Sequence, residues 1–290
     1  MLVIKLQGGL GNQMFQYAFG LSLSKKMKAP LYFDLSFYKQ DTGLTPRRYE
    51  LGVFTPSANI AGHGLVKSFL KPNLAQFFFN KNTVYRESTL RFTGDVFNVK
   101  PSVYFEGFWQ SEQYFIGIEN EVRNAFTFKV KLNVQSQKIA DELAQHPNAV
   151  SIHVRRADYV SSKATNELHG LCSVKYYRDA ITMIKDETLD PYFYFFSDDP
   201  DWVRENLLPG VESAALIQHN TGLDSWQDMV LMSKCKHHII ANSSFSWWGA
   251  WLNPYKEKMV ITPKHWFNGK MDYFNDQDIV PKDWIRLPNE

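Results

Sequence analysis

The chain has 290 residues, room for two domains or one large one, and its 44% apolar and 21% charged residues are the balance of a soluble globular protein. A net charge of +2 lacks the broad positive field that nucleic-acid binding needs, so any anion must be gripped locally. Two cysteines without metal-type spacing, Cys172 and Cys235, argue against a disulfide framework and for a reducing compartment. Aromatic residues at 15%, with eight Trp, suit a large core and a carbohydrate site equally well. The start "MLVIKLQGG" lacks the basic and long apolar regions of a signal peptide, and no window of 18 apolar residues exists to span a membrane. A cytoplasmic location is expected.

In chain order, "LVIKL" (Leu2–Leu6) reads as a strand and "QGGLGNQ" (Gln7–Gln13) as a turn too rich in glycine for a helix interior. Apolar residues at 14, 15, 18, 19 and 21 predict a helix over Met14–Lys28, stopped by Pro30, with "LYFDL" (Leu31–Leu35) the next strand. Residues from about 40 to 110 carry four prolines and read as mixed helix and loop, closed by a strand in "SVYFEGFW" (Ser102–Trp109). A helix over Gln137–His146 precedes five strand-like runs: Val150–Val154, Tyr192–Phe196, Glu212–Gln218, His237–Ala241 and Lys258–Thr262. Helical segments Tyr176–Glu187, Pro200–Leu207, Asp224–Cys235 and Ser246–Leu252 lie between them. This alternation predicts an α/β doubly wound parallel sheet, with ligands beyond the carboxyl ends of its strands.

Polar clusters stand at three of those ends. "HVRRAD" follows the first strand and places His153, Arg155, Arg156 and Asp158 within six residues. Guanidinium is permanently charged, and its planar fork of donors matches phosphate oxygens. Strand geometry gives His153 and Arg155 one face, and Arg156 the other, where it supports the site or pairs with Asp158. An isolated pair of this kind would more often be a structural salt bridge; three clusters in one crevice favour an anion site. "SDDP" (Ser197–Pro200) suits either a divalent cation or a helix start, and we favour one Asp as cap and the other as a reader of a nucleotide. "NSSFSWWGAW" (Asn242–Trp251) begins with cap-type residues; plain capping needs only one, so the surplus points to an anion at a helix N-terminus. Its tryptophans Trp247, Trp248 and Trp251 fit packing better than sugar stacking. The glycines of "QGGLGNQ" do not have the dinucleotide spacing, so either a close backbone approach or an ordinary turn fits them, with Asn12 and Gln13 offering amides.

Together "HVRRADY", "FFSDDP", "NSSFSWWGAWL" and "GGLGNQMFQYA" resemble the bacterial α-1,2-fucosyltransferases, glycosyltransferase family 11, whose HxRRxD motif is shared with α-1,6- and protein O-fucosyltransferases. "YKEKMVITPKHWF" (Tyr255–Phe267) is similar to the family's C-terminal stretch; residues 40–135 contribute little, and Ala157 stands where Gly is as common. The resemblance implies a GT-B fold, two Rossmann-like domains facing a cleft. The expected boundaries are 1–135 on the acceptor side, 136–265 for the donor, and a tail, 266–290, packing back on the N-terminal domain. It also implies GDP-β-L-fucose as donor, a galactoside such as lactose or N-acetyllactosamine as acceptor, inversion at the anomeric carbon, and no metal or other cofactor. Arg155 would hold the β-phosphate, His153 and Asp198 would lie near the guanosine, Ser244 near the diphosphate, and Asn12 near the fucose. Arg156, Asp158, Asn242 and Ser243 complete the expected donor site. For a general base the nearby candidates are Asp158, Glu167 and His169, with Glu167 preferred. Another nucleotide-sugar enzyme on the same fold, or a lectin without catalysis, are the competing readings. GDP protection against melting separates them, because a lectin would respond to free sugar instead.

Overall fold

Strands and helices alternate to give two sheets in which every neighbouring pair of strands is parallel. The structure is a computed structural model that describes residues 1–39, 47–71, 82–156, 170–268, 273 and 275–290. They fall into two compact units, Met1–Val130 with Met271–Pro281, and Lys131–Lys270 with Lys282–Glu290. The residues beyond 265, expected as one tail on the N-terminal domain, are thus divided between the units. No described helix is long and apolar enough to cross a membrane.

In the first unit the sheet has the order β3-β2-β1-β5-β4. Its strands are β1 (Leu2–Lys5), β2 (Leu31–Asp34), β3 (Asn59–Ile60), β4 (Thr83–Arg86) and β5 (Val103–Glu106). Helices α1 (Leu10–Met27), α2 (His63–Leu70) and α3 (Glu119–Ala125) accompany them. Strands β3 and β4 lie where sequence predicted mixed helix and loop; two and four residues with no clear alternation leave too little periodic signal. Helix α1 begins four residues before the predicted Met14, with Gly11 inside it. Tertiary bonds outweigh that residue's poor propensity. The Gln13 amide donates to the Gly8 carbonyl (3.0 Å) and the Arg48 carbonyl (2.8 Å), and accepts from the Glu50 N–H (2.8 Å). Gln16 accepts from the Gln7 N–H (3.0 Å) and donates to the Gly107 carbonyl (3.1 Å).

The second unit carries α4 (Val134–Gln145), β6 (Ala149–Val154), α5 (Val174–Glu187), β7 (Tyr192–Ser197), α6 (Pro200–Asn206) and β8 (Ala214–Ile217). After these come α7 (Trp226–Lys234), β9 (His237–Ile239), α8 (Ser244–Leu252), β10 (Val260–Pro263) and β11 (Ile285–Leu287). The sheet order β11-β10-β9-β6-β7-β8 runs outward one way from β6 and the other way from β9, the doubly wound Rossmann pattern. Strand β11 escaped the sequence reading because three half-buried residues carry no period. Val150, Ile152 and Val154 of β6 pack with Tyr176, Tyr177, Ile184, Phe195 and Ile239. Each fully buried side chain of this size contributes roughly 1.5–3 kcal/mol. Trp247, Trp248 and Trp251 are buried against one another, as packing requires.

Beyond β8 a polar network joins α4 to α7. Asn133 caps α4 by accepting from the Ser136 N–H (2.7 Å) and donates to Asn220 (3.2 Å), which donates to Asp228 (2.8 Å). Burial outweighs that hydrogen bond and pushes the Asp228 carboxyl up to about 7 from 3.8. The native state therefore binds this proton at a pH where the unfolded chain has lost it, and stability declines as pH rises from 3.8 towards 7. Asp228→Asn should melt several degrees above wild type at pH 8, with the gap narrowing at pH 5 and vanishing only below the unfolded value of 3.8. Thermal melts at the two pH values check this, and a variant less stable than wild type at pH 8 would contradict it.

Candidate functional site

The strand order of the second unit reverses between β6 and β9, the point beyond whose carboxyl ends a sheet of this type binds its ligand. The segments leaving β6, β7 and β9 carry the three polar clusters. Both Asp residues of "SDDP" turn back on the arginines. Asp198 Oδ2 lies 2.8 Å from Arg155 Nη1, and its Oδ1 accepts the Arg156 N–H at 2.8 Å. Asp199 caps α6 by accepting the Trp202 N–H (3.2 Å), and its second oxygen lies 3.3 Å from Arg156 Nε. The Arg156 guanidinium also stacks 4.0 Å over the Trp202 ring. Capping by one Asp was legible in sequence. In the structure the other carboxylate orients the guanidinium of Arg155 and fixes the backbone at Arg156. Arg155 remains 25% exposed in its side chain, whereas Arg156 is more enclosed at 17%.

His153 is buried, 5.9 Å from the Phe245 ring at the start of α8, and its carbonyl accepts from the Tyr177 hydroxyl (3.2 Å). Burial first, and the Arg155 charge second, lower its pKa to about 3, so the ring is neutral at physiological pH. Its Nδ1 is buried with no hydrogen-bond partner among the described residues. Such an atom calls for a partner from a ligand or water.

Helix α8 starts after Ser243, whose side chain makes no capping bond. Ser243 and Ser244 thus stand at a helix N-terminus that presents N–H donors and positive potential. Asn242, expected to bind donor, donates its amide to the carbonyls of Trp266 (3.2 Å) and Gly170 (3.4 Å), tying two loops together, and is 2% exposed. Asp158, Glu167 and His169 lie outside the described residues.

In the first unit the order reverses between β1 and β5. Asn12 in the first turn of α1 accepts from Gln110, on the segment leaving β5, at 2.7 Å. Gly8 has φ +76°, which lets the chain turn back over the Asn12 side chain. Gln110 escaped the sequence reading, although it follows the predicted strand Ser102–Trp109 and the strand-end rule points to it. No group of three or more His, Cys, Asp or Glu among the described residues is arranged to hold a metal.

Comparison with known proteins agrees with this architecture. Residues 1–288 match the family model "Glycosyl transferase family 11". An alpha-1,2-colitosyltransferase of Escherichia coli is 35% identical over 99% of this chain and 98% of its own. The O-antigen biosynthesis glycosyltransferase WbnK of Escherichia coli is 30% identical over 97% and 99%. Among solved structures, the fucosyltransferase NodZ from Bradyrhizobium superposes with a TM-score of 0.51 over 87% of this chain and 92% of its own, at 14% identity. That likeness concerns the fold, which is α/β of the GT-B type with two Rossmann-like units. With its strand-end motifs in place and the family pattern running from residue 1 to 288, the chain is a glycosyltransferase and belongs to glycosyl transferase family 11.

Proposed function

We propose that the protein transfers L-fucose from GDP-β-L-fucose to the 2-hydroxyl of a terminal galactose, with inversion and without a metal ion. The observation that carries this reading is Arg155, oriented by Asp198 at the reversal point of the nucleotide-binding type of sheet. Breaking the bond from the fucose anomeric carbon sends its electron pair to the β-phosphate oxygen, and the ring becomes oxocarbenium-like. A guanidinium already in place stabilises that charge as it develops. Ser243, Ser244 and the first N–H groups of α8 supply further donors for the diphosphate, supported by Arg156 from behind. The orphan Nδ1 of His153 is the group we assign to the nucleoside, and Asn12 the one we assign to the sugar. The acceptor oxygen bonds to the anomeric carbon from the opposite face, and its proton passes to Glu167, our preferred base, or to Asp158.

The name of one relative, an alpha-1,2-colitosyltransferase, favours a second donor sugar, colitose, which we take to be carried on GDP like fucose. The acceptor class is a β-galactoside such as lactose, N-acetyllactosamine or its β-1,3 isomer, met in the cytoplasm on a glycan precursor. The test is GDP release in EDTA from each donor, with and without each acceptor. Lactose-dependent release from GDP-fucose supports the reading. Release from GDP-colitose alone replaces the donor, and a requirement for added Mg²⁺ refutes the metal-free step.

A further inference from the structure

Glu87 immediately follows β4, at the same end of the first sheet as the Asn12–Gln110 pair. Its two carboxylate oxygens take successive backbone donors of the segment leaving β5: Oε2 accepts the Phe108 N–H at 2.7 Å and Oε1 the Trp109 N–H at 2.9 Å. The Tyr273 hydroxyl donates to Oε2 at 3.2 Å. The segment is in an uncommon conformation. Trp109 has φ +57°, is fully buried and stacks on Phe19 at 4.1 Å. Gly107 is needed for the approach, because a Cβ there would lie 2.5 Å from the Glu87 Cβ. The next residue is Gln110, the partner of Asn12. Burial pushes the Glu87 carboxyl up to about 7 against its three donors.

We propose that Glu87 is a positioning residue for glycosyl transfer: by gripping two successive N–H groups it fixes the strained turn at Trp109, sets the Gln110 amide, and through it orients Asn12. This rests on the sugar role given to Asn12. An amide cannot replace the carboxylate, because its single acceptor oxygen satisfies one N–H and its NH₂ faces the other.

The test is a kinetic double-mutant cycle on the full chain with GDP-fucose and lactose. Glu87→Gln should lower kcat by about tenfold or more while donor KM and GDP protection against melting stay within about twofold of wild type. Gln110→Ala should do the same, and adding Glu87→Gln to it should cost little more, because both act along one path. If Glu87→Gln fails to fold, Tyr273→Phe replaces it, with a smaller loss of kcat that again disappears in the Gln110→Ala background. Wild-type kcat in Glu87→Gln, or losses that multiply in the double variant, would overturn the proposal. Asn12→Ala separates this result from the reading beneath it. If Asn12→Ala keeps kcat while Gln110→Ala loses it, the role of Asn12 is wrong and the Glu87–Gln110 coupling stands. If all three singles keep kcat, both fall.

Discussion

Arg155→Ala should abolish lactose-dependent GDP release, lowering kcat by roughly 100- to 1000-fold, the usual loss when one preorganised donor to a developing oxyanion is removed. The size follows from the surroundings of this guanidinium. It is three-quarters buried, where a charge interaction is screened less than in water, and Asp198 holds it at 2.8 Å before any ligand arrives. Arg155→Lys should not restore the rate, since a lysine offers a single point of charge and cannot face Asp198 and a phosphate together with a planar fork. Arg156→Ala should be milder. That side chain is tied to Asp199 at 3.3 Å and stacked on Trp202, so its loss loosens the support without removing the group assigned to the phosphate. Initial rates at saturating donor decide the matter. Near-normal turnover in Arg155→Ala would place the leaving-group charge elsewhere and remove the main support for the proposed chemistry.

The second unit was legible because its strands are long enough to show apolar runs and its connections hold helices with clear starts. Asp199-Pro200 reads as a cap followed by a first-turn proline, and the structure has that cap. The strand-end rule singled out Arg155, Asp198, Ser243 and Ser244, and the structure places all four on segments leaving β6, β7 and β9. The partners were not legible. Asp198 reads as a nucleotide ligand in sequence and holds both arginines in the fold; Asn242 reads as a donor ligand and ties two loops together. A short polar side chain has the same appearance in sequence whichever neighbour it meets. The first unit was obscure for a related reason. Its short strands β3 and β4 give little periodicity, and the contacts that build its polar corner join Asn12 to Gln110 and Glu87 to Phe108 and Trp109. Such pairings follow from strand order, which becomes visible only once β5 is known to lie beside β1.

Gly8→Ala should cost turnover far more than stability, and its neighbour supplies the control. Gly8 sits at φ +76°, where a side chain costs about 1–2 kcal/mol, or a few degrees of melting temperature at about 2–4 °C per kcal/mol. The turn itself is well held, since the Gly8 carbonyl accepts from Gln13 at 3.0 Å and from Tyr38 at 3.2 Å. The backbone therefore has little room to give, and the added Cβ would lie 2.5 Å from Asn12 Nδ2. Asn12 must swing away and lose the 2.7 Å bond from Gln110. A displacement of about 1 Å in a positioning group can lower a rate by about 100-fold, and a loss of that order is expected in kcat. GDP protection should persist, because the groups assigned to the nucleotide belong to the other unit. Gly9→Ala tests whether the effect is geometric. Gly9 has an ordinary φ of −83°, and its Cβ would meet nothing nearer than Arg47 at 3.6 Å, so this variant should keep both its melting temperature and its rate. Equal loss in the two variants would mean that the whole glycine turn is sensitive and that Asn12 holds no special place in it. Loss in Gly8→Ala alone, with folding intact, would tie the rate to the one side chain that the new methyl displaces.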